Sequence, residues 1–221
     1  MKVGLVGFGS IGRLHTNLLI KNKKINEVLI ITKQKLKITS KKIKFSQKID
    51  DLISFNPSAI FICSETSKHL AQIKFVNNNF TKLKVLVEKP LFFKKEKFKQ
   101  KNKNCFYVNY TLRYHPIINF ISEQIRKNKF FYAEFYTSSF LPNWRKNISY
   151  FKSYSSQKKL GGGVVHDLSH EIDLALKFFG ELSLINSFNK KISHLKMSAD
   201  DVLLSNFKSK NNVYINICLN L

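Results

Sequence analysis

The sequence is poor in the residues that mark secreted, membrane-spanning or metal-ligating chains. It has three cysteines, Cys63, Cys105 and Cys218, widely separated and odd in number. That argues against a disulfide framework, and no Cys or His spacing suggests a metal site. No apolar run approaches the roughly 20 residues that cross a bilayer. The opening MKVGLVGFGS lacks the basic-then-apolar layout of a signal peptide. A cytoplasmic protein with no membrane partner is therefore expected. Internal repeats and low-complexity linkers are also missing. Acidic residues are scarce, 14 against 38 basic ones, which gives a net charge of +24. Arginine is scarce too: Arg13, Arg113, Arg126 and Arg145 are all there is, and the other basic residues are lysine. A charge this large can mark a nucleic-acid binder. Nucleic-acid sites, however, exploit the planar fork of arginine. Here the lysines are scattered through every segment among Asn, Ile and Phe, which share A- and T-rich codons. Codon bias is a sufficient cause, and nucleic acid is not the expected partner.

What is present is a foldable chain. Its 221 residues are 43% hydrophobic and 13% aromatic, enough for one large domain or two small ones with packed cores. Strand-like apolar runs alternate with helical periods. The runs are Lys2 to Val6, Glu27 to Thr32, Ala59 to Cys63, Lys84 to Val87 and Cys105 to Val108. Helices are expected from Ile11 to Ile20, Lys48 to Phe55 and Ser67 to Asn78. Continuous apolar strands between helices mean a parallel sheet covered on both faces. After about residue 115 the pattern changes. A helix starts at His115-Pro116, and Phe130 to Phe140 alternates like a half-exposed strand. One helix from Val164 to Phe179 is closed by Gly180. Leu182 to Ile192, Val202 to Phe207 and Val213 to Leu221 then follow as strands without intervening helices, which suggests an antiparallel sheet. The expected fold is α/β. A doubly wound parallel domain over 1–115 precedes an incomplete α+β domain over 116–221 with a mostly antiparallel sheet.

Gly7-Phe8-Gly9-Ser10-Ile11-Gly12 reads G-x-G-x-x-G between an expected strand and an expected helix, the context that gives the pattern physical meaning. Gly7 permits the tight turn, Gly9 lets the backbone approach a pyrophosphate, and Gly12 lets helix and strand pack closely. The helix N-terminus then offers N–H groups and a positive dipole end to phosphates. The second strand should end in an acid for the ribose 2′-hydroxyl. It ends instead in Thr32-Lys33. A hydroxyl and a cation suit a 2′-phosphate, so NADP stands slightly ahead of NAD.

Further segments, in order, are S-E-T-S-K-H at 64–69, V-E-K-P at 87–90, L-R-Y-H-P at 112–116 and G-G-G-V-V-H-D-L-S-H-E-I-D at 161–173. With G-F-G-S-I-G-R-L-H at 7–15 they span positions 7 to 173, and together they resemble the Gfo/Idh/MocA oxidoreductase family. The stretch L-P-N-W-R at 141–145 with S-Y-S at 153–155 resembles a branch associated with nucleotide-sugar or sialic-acid-like sugar pathways.

The resemblance implies an N-terminal Rossmann domain joined to an α/β domain with a large open sheet, the substrate lying between that sheet and the nicotinamide. It implies an NAD(P)-dependent dehydrogenase or reductase acting on a sugar or sugar derivative, in a nucleotide-sugar or surface-polysaccharide setting. Ser64, Glu65, His69 and Glu88 would join the glycine turn in holding the cofactor. Lys89 would place its ammonium by the reacting oxygen, where a cation stabilises developing alkoxide or moves a proton. Pro90 would follow a cis peptide, as in relatives. His170 is the candidate general acid/base, since an imidazole titrates near neutrality. Asp167 shares its helix face at i, i+3 as its partner or a substrate ligand, and Asp173 lies a further turn on. Arg113 would help shape the substrate cleft. Trp144 and Arg145 would meet a sugar face and an anionic group, or serve only to anchor their loop.

Relatives continue for several more strands, so the second sheet is expected to be incomplete and to expose an edge. A fragment, a natural short form that pairs with another chain and a decayed non-catalytic relative all remain open. So does homo-oligomerisation. Beside the redox enzyme stand a dinucleotide-binding module without activity and, further behind, a basic nucleic-acid-associated protein.

Overall fold

The computed structural model describes residues 1–34, 40–144 and 149–221. The chain divides into two compact units, Met1–Asn109 and Tyr110–Leu221.

The first unit is a six-stranded parallel sheet. Its strands are β1 (Lys2–Val6), β2 (Glu27–Ile31), β3 (Ile43–Ser46), β4 (Ala59–Ile62), β5 (Lys84–Glu88) and β6 (Cys105–Asn109), in the order β3-β2-β1-β4-β5-β6. Side chains alternate across a strand, and here both faces are apolar. Val28 and Ile30 of β2 join Val3, Leu5 and Ile25 in one core, beside α1 (Ser10–Lys21). Leu29 and Ile31 turn the other way, into a core with Leu52 and Phe55 of α2 (Asp51–Phe55) and Ile73 and Val76 of α3 (Thr66–Asn79). Two-sided burial is why these strands read as unbroken hydrophobic runs. β3 has no such run: Ile-Lys-Phe-Ser alternates over only four residues, half-exposed at the sheet edge, too short a pattern to stand out in the sequence. The sheet reverses its winding between β1 and β4, the switch point at which open α/β sheets bind ligands outside the carboxyl ends of their strands.

The second unit opens with a 3₁₀ turn, Thr111–Tyr114, and α4 (Pro116–Lys127). The His115 ring caps α4 by accepting the Ile117 N–H at 3.2 Å, and Pro116 follows at a position that needs no N–H. Then come β7 (Tyr132–Ser138), α5 (Val164–Asp167), α6 (Ser169–Phe179), β8 (Leu182–Lys190), β9 (Val202–Ser209) and β10 (Tyr214–Asn220). The sheet order is β7-β10-β9-β8. It is mostly antiparallel, but β10 pairs β7 in parallel. Its last strand is therefore internal, and the edges are β7 and β8. Leu203 of β9 and Ile215, Ile217 and Leu219 of β10 face a core with Val164 of α5 and Ala175 of α6. The opposite sheet face is open. One row across it is Tyr136–Cys218–Leu204–Phe188. The next is an asparagine ladder, with Asn216 donating to Asn206 and Asn206 to Asn186, each at 2.9 Å.

The single helix expected over 164–179 is two. Leu168 leaves the helical conformation (φ −101°, ψ 34°) and separates α5 from α6. No Gly or Pro marks the place, so the apolar period runs through it unbroken.

Candidate functional site

In the first unit the turn after β1 has the geometry that the glycine spacing implied. Gly7 has φ +95°, which L side chains rarely adopt. A Cβ there would lie 2.6 Å from the Ser64 backbone nitrogen. A Cβ on Gly12 would lie 2.3 Å from the Gly7 carbonyl oxygen, so α1 can seat against the turn only without one. Gly9 differs: a Cβ would meet nothing within 4 Å. Its missing side chain leaves room on the outer side of the turn, where a ligand would approach. The first backbone bond of α1 runs from Arg13 N–H to the Gly9 carbonyl at 3.0 Å. The N–H groups of Ser10, Ile11 and Gly12 thus precede the helical ladder. No side chain caps this end and no acid sits in the first turn. A positive helix end with unused donors and space above it fits a pyrophosphate. Phe8, by contrast, is buried in the core, with Arg13 5.2 Å from its ring centroid. Its side chain serves packing, and only its backbone remains for a ligand.

At the end of β2, the Thr32 hydroxyl accepts the Gln34 N–H at 3.1 Å and shapes the turn. Lys33 is exposed. Arg13 reaches this turn from α1, donating to the Gln34 side chain at 3.4 Å. Sequence reasoning assigned Arg13 no task. Only the fold brings two cations, on α1 and after β2, to the place where an acid was expected.

The segment after β4 is fixed by His69. This side chain is buried, with Nε2 3.1 Å from the Ser64 carbonyl and Nδ1 3.2 and 3.3 Å from those of Pro90 and Leu91. Burial pushes its pKa down, against carbonyls that favour the cation. His69 thus ties α3 to the loop that carries Lys89, and its role is positioning. The Lys89–Pro90 peptide is cis. Ser64 donates to Gln72 at 2.7 Å, and Glu65 pairs with Lys68 at 2.6 Å at the start of α3. Lys89 is half-buried.

Glu88, the last residue of β5, accepts from Asn109 at 2.7 Å and meets His15 Nε2 at 2.7 Å. His15 belongs to α1, and its ring lies 5.1 Å from that of Phe61. Cys63 is close by, its thiol pushed well up by burial and by the Glu88 charge. The sequence contained His15 inside a motif, but a partner 73 residues away has no signature in spacing.

In the second unit the break at Leu168 corrects the expected geometry of Asp167 and His170. They belong to different helices, and the i, i+3 argument does not apply to them. Asp167 accepts from Ser155 Oγ at 3.2 Å and from the Gly163 N–H at 3.3 Å. Its carboxylate thereby helps cap α5. The His170 ring packs edge-on against Tyr110, 5.6 Å between centroids. Burial raises the Tyr110 pKa, and Asp173 adds to it. Arg113 is bound on two sides: its Nε donates to Asp173 Oδ2 at 2.7 Å and its Nη2 to Oδ1 at 2.6 Å. This fork contact joins the Thr111–Tyr114 turn to α6 and holds the guanidinium cationic. Trp144 donates its indole N–H to Ser139 at 2.7 Å and packs on the second core, so it anchors its own loop. Arg145 lies outside the described residues.

A strand order of 3-2-1-4-5-6 with a glycine turn at the switch point defines a dinucleotide-binding α/β unit. Residues 1–105 match the Gfo/Idh/MocA family model, described as an oxidoreductase family with an NAD-binding Rossmann fold. That match makes the first unit similar to NAD-binding oxidoreductases of the Gfo/Idh/MocA family over somewhat less than half of the chain. No curated protein matches. Among solved structures, the WlbA dehydrogenase from Bordetella pertussis, crystallised with NADH and UDP-GlcNAcA, is similar to this chain at 15% identity and a TM-score of 0.80. The match covers 100% of this chain and 71% of that one. The UDP-N-acetylglucosamine 3-dehydrogenase GnnA from Acidithiobacillus ferrooxidans gives 17% and 0.72, covering 100% and 69%. A myo-inositol 2-dehydrogenase from Lactobacillus plantarum gives 17% and 0.75, with the same coverages. At such identities these likenesses speak for the fold.

Proposed function

We propose that the chain binds NADP(H) in preference to NAD(H) and oxidises or reduces a sugar-like substrate at a hydroxyl or carbonyl carbon. The observation that carries this reading is the turn after β1, with open space above Gly9 at an uncapped helix end. The nicotinamide would supply the hydride acceptor or donor. The chain's own residues then have separate tasks. The N–H groups of Ser10, Ile11 and Gly12 receive the pyrophosphate. Lys33 and Arg13 receive a 2′-phosphate, which would explain cations where an acid belongs. Lys89, held in place by the loop that His69 pins, stabilises the alkoxide that develops on the substrate oxygen. His170 takes or returns the hydroxyl proton, with Asp167 close by in sequence as a substrate ligand. A sugar substrate is supported by the likeness to solved structures of a dehydrogenase in complex with UDP-GlcNAcA, a UDP-N-acetylglucosamine 3-dehydrogenase and a myo-inositol 2-dehydrogenase. Three free cysteines suit a reducing cytoplasm.

The test is a panel of sugars, inositols and nucleotide sugars assayed by NADPH absorbance. Lys89→Met and His170→Ala are expected to abolish turnover while cofactor affinity stays within about threefold. Full activity in both variants would remove the assignment. Cofactor binding without turnover on any substrate would favour a binding module instead.

A further inference from the structure

Three side chains with metal-ligating atoms converge beneath the glycine turn of the first unit. His15 comes from α1, Cys63 directly follows β4, and Glu88 ends β5. One donor atom from each lies within 4.8 Å of the other two, and among the described residues no other group of three His, Cys, Asp or Glu does so. The geometry points to a binding site for a single thiophilic divalent cation of the zinc type, held by His15 Nε2, Cys63 Sγ and a Glu88 carboxylate oxygen, with a fourth position open.

A mixed nitrogen, sulfur and oxygen set suits zinc and its neighbours in the first transition row. Magnesium and calcium prefer oxygen alone. A cation would sit about 2.0–2.3 Å from each donor, with the donors roughly 3.3–3.7 Å apart, so the His15–Glu88 pair must open from 2.7 Å while the Cys63 thiol draws in from within 4.8 Å. On binding, the 2.7 Å His15–Glu88 bond would be exchanged for one metal bond to each partner as the Glu88 side chain rotates. The thiol proton leaves to solvent as the thiolate forms. The surroundings already orient the ligands. Asn109 donates to Glu88 Oε1 at 2.7 Å, and Phe61 backs the His15 ring. Outer partners of this kind fix ligand direction at metal sites. A His–Glu ion pair alone needs no thiol beside it. The inference rests on this trio and stands apart from the redox reading.

The experiment is a titration of cobalt(II) alone into the metal-free full chain under a non-chelating reductant. The readout is the near-ultraviolet thiolate-to-cobalt absorption, followed by displacement with zinc. One equivalent should produce the band, and zinc should abolish it. Cys63→Ser should lose the band while keeping its circular dichroism, and His15→Gln should weaken cobalt binding by at least about tenfold. Should Cys63→Ser fail to fold, the Cys105→Ser/Cys218→Ser double variant decides, because its band must persist. No band in the wild type, a band that survives in folded Cys63→Ser, or its loss in the double variant overturns the proposal.

Discussion

Gly9 and Gly12 lie three residues apart in one turn, yet the structure assigns them opposite sensitivities. Gly9 has φ −73° and ψ −164°, a conformation any residue adopts, and a Cβ there meets nothing within 4 Å. Gly9→Ala should therefore fold as the wild type does. Its melting temperature should be unchanged or raised, since removing a glycine narrows the unfolded ensemble by about 0.4–1 kcal/mol. The added methyl group enters the space proposed for the pyrophosphate. Affinity for the dinucleotide should fall at least about tenfold, which is about 1.4 kcal/mol. In Gly12→Ala the Cβ would lie 2.3 Å from the Gly7 carbonyl oxygen. Backbone on both sides must shift, at about 1–3 kcal/mol for an overpacked contact. For a domain of this size, each kcal/mol lowers the melting temperature by roughly 4–8 °C. Differential scanning fluorimetry on the apo proteins, with NADPH titrations at fixed temperature, reads both quantities. The reasoning fails if Gly9→Ala melts as low as Gly12→Ala, or if it binds NADPH as tightly as the wild type.

Reversing the charge after β2 should reverse the cofactor choice. Lys33→Asp combined with Arg13→Ala removes two charge-assisted contacts of about 1.5–3 kcal/mol each, partly screened at an exposed site, so the NADPH/NADH affinity ratio should drop by about 10- to 100-fold. His69 should make stability pH-dependent in one direction. Its folded pKa is depressed by burial, so its contribution is complete above the unfolded value of about 6.5 and is lost as the pH falls from there through the folded value. Denaturation midpoints between pH 7 and pH 5 should decline less steeply in His69→Gln than in the wild type. Breaking the Arg113–Asp173 fork leaves a buried carboxylate without its cation. Arg113→Ala should destabilise the second unit by about 1–3 kcal/mol, discounted because the Arg113 side chain is 45% exposed. Arg113→Lys should recover only part, since an ammonium cannot make both contacts.

The parallel sheet and its glycine turn were legible because each is encoded locally. Two-sided burial writes itself as the apolar runs Val3 to Val6 and Val28 to Ile31, and the turn as three glycines at fixed spacing. The cis bond before Pro90 came with the resemblance. What stayed hidden depends on partners far along the chain. β3 is a half-exposed edge of four residues, with only Ile43 and Phe45 apolar and both on one face. The parallel pairing of β10 with β7 joins strands some eighty residues apart. The bend at Leu168 has no Gly or Pro, and its neighbour Asp167 bonds back to Gly163 and across to Ser155. Periodicity places Asp167 on one helix face with His170; Asp167 instead ends α5 and turns its carboxylate back to the start of that helix. In the same way Arg113 and Glu88 stood out within motifs, while Asp173 and His15 as their partners became visible only in the fold.

The most direct measurement is calorimetric titration of NADPH and of NADH into the purified, folded chain. The account predicts saturable binding of one nucleotide per chain, tighter for NADPH. A folded protein that takes up neither nucleotide at millimolar concentration would contradict it.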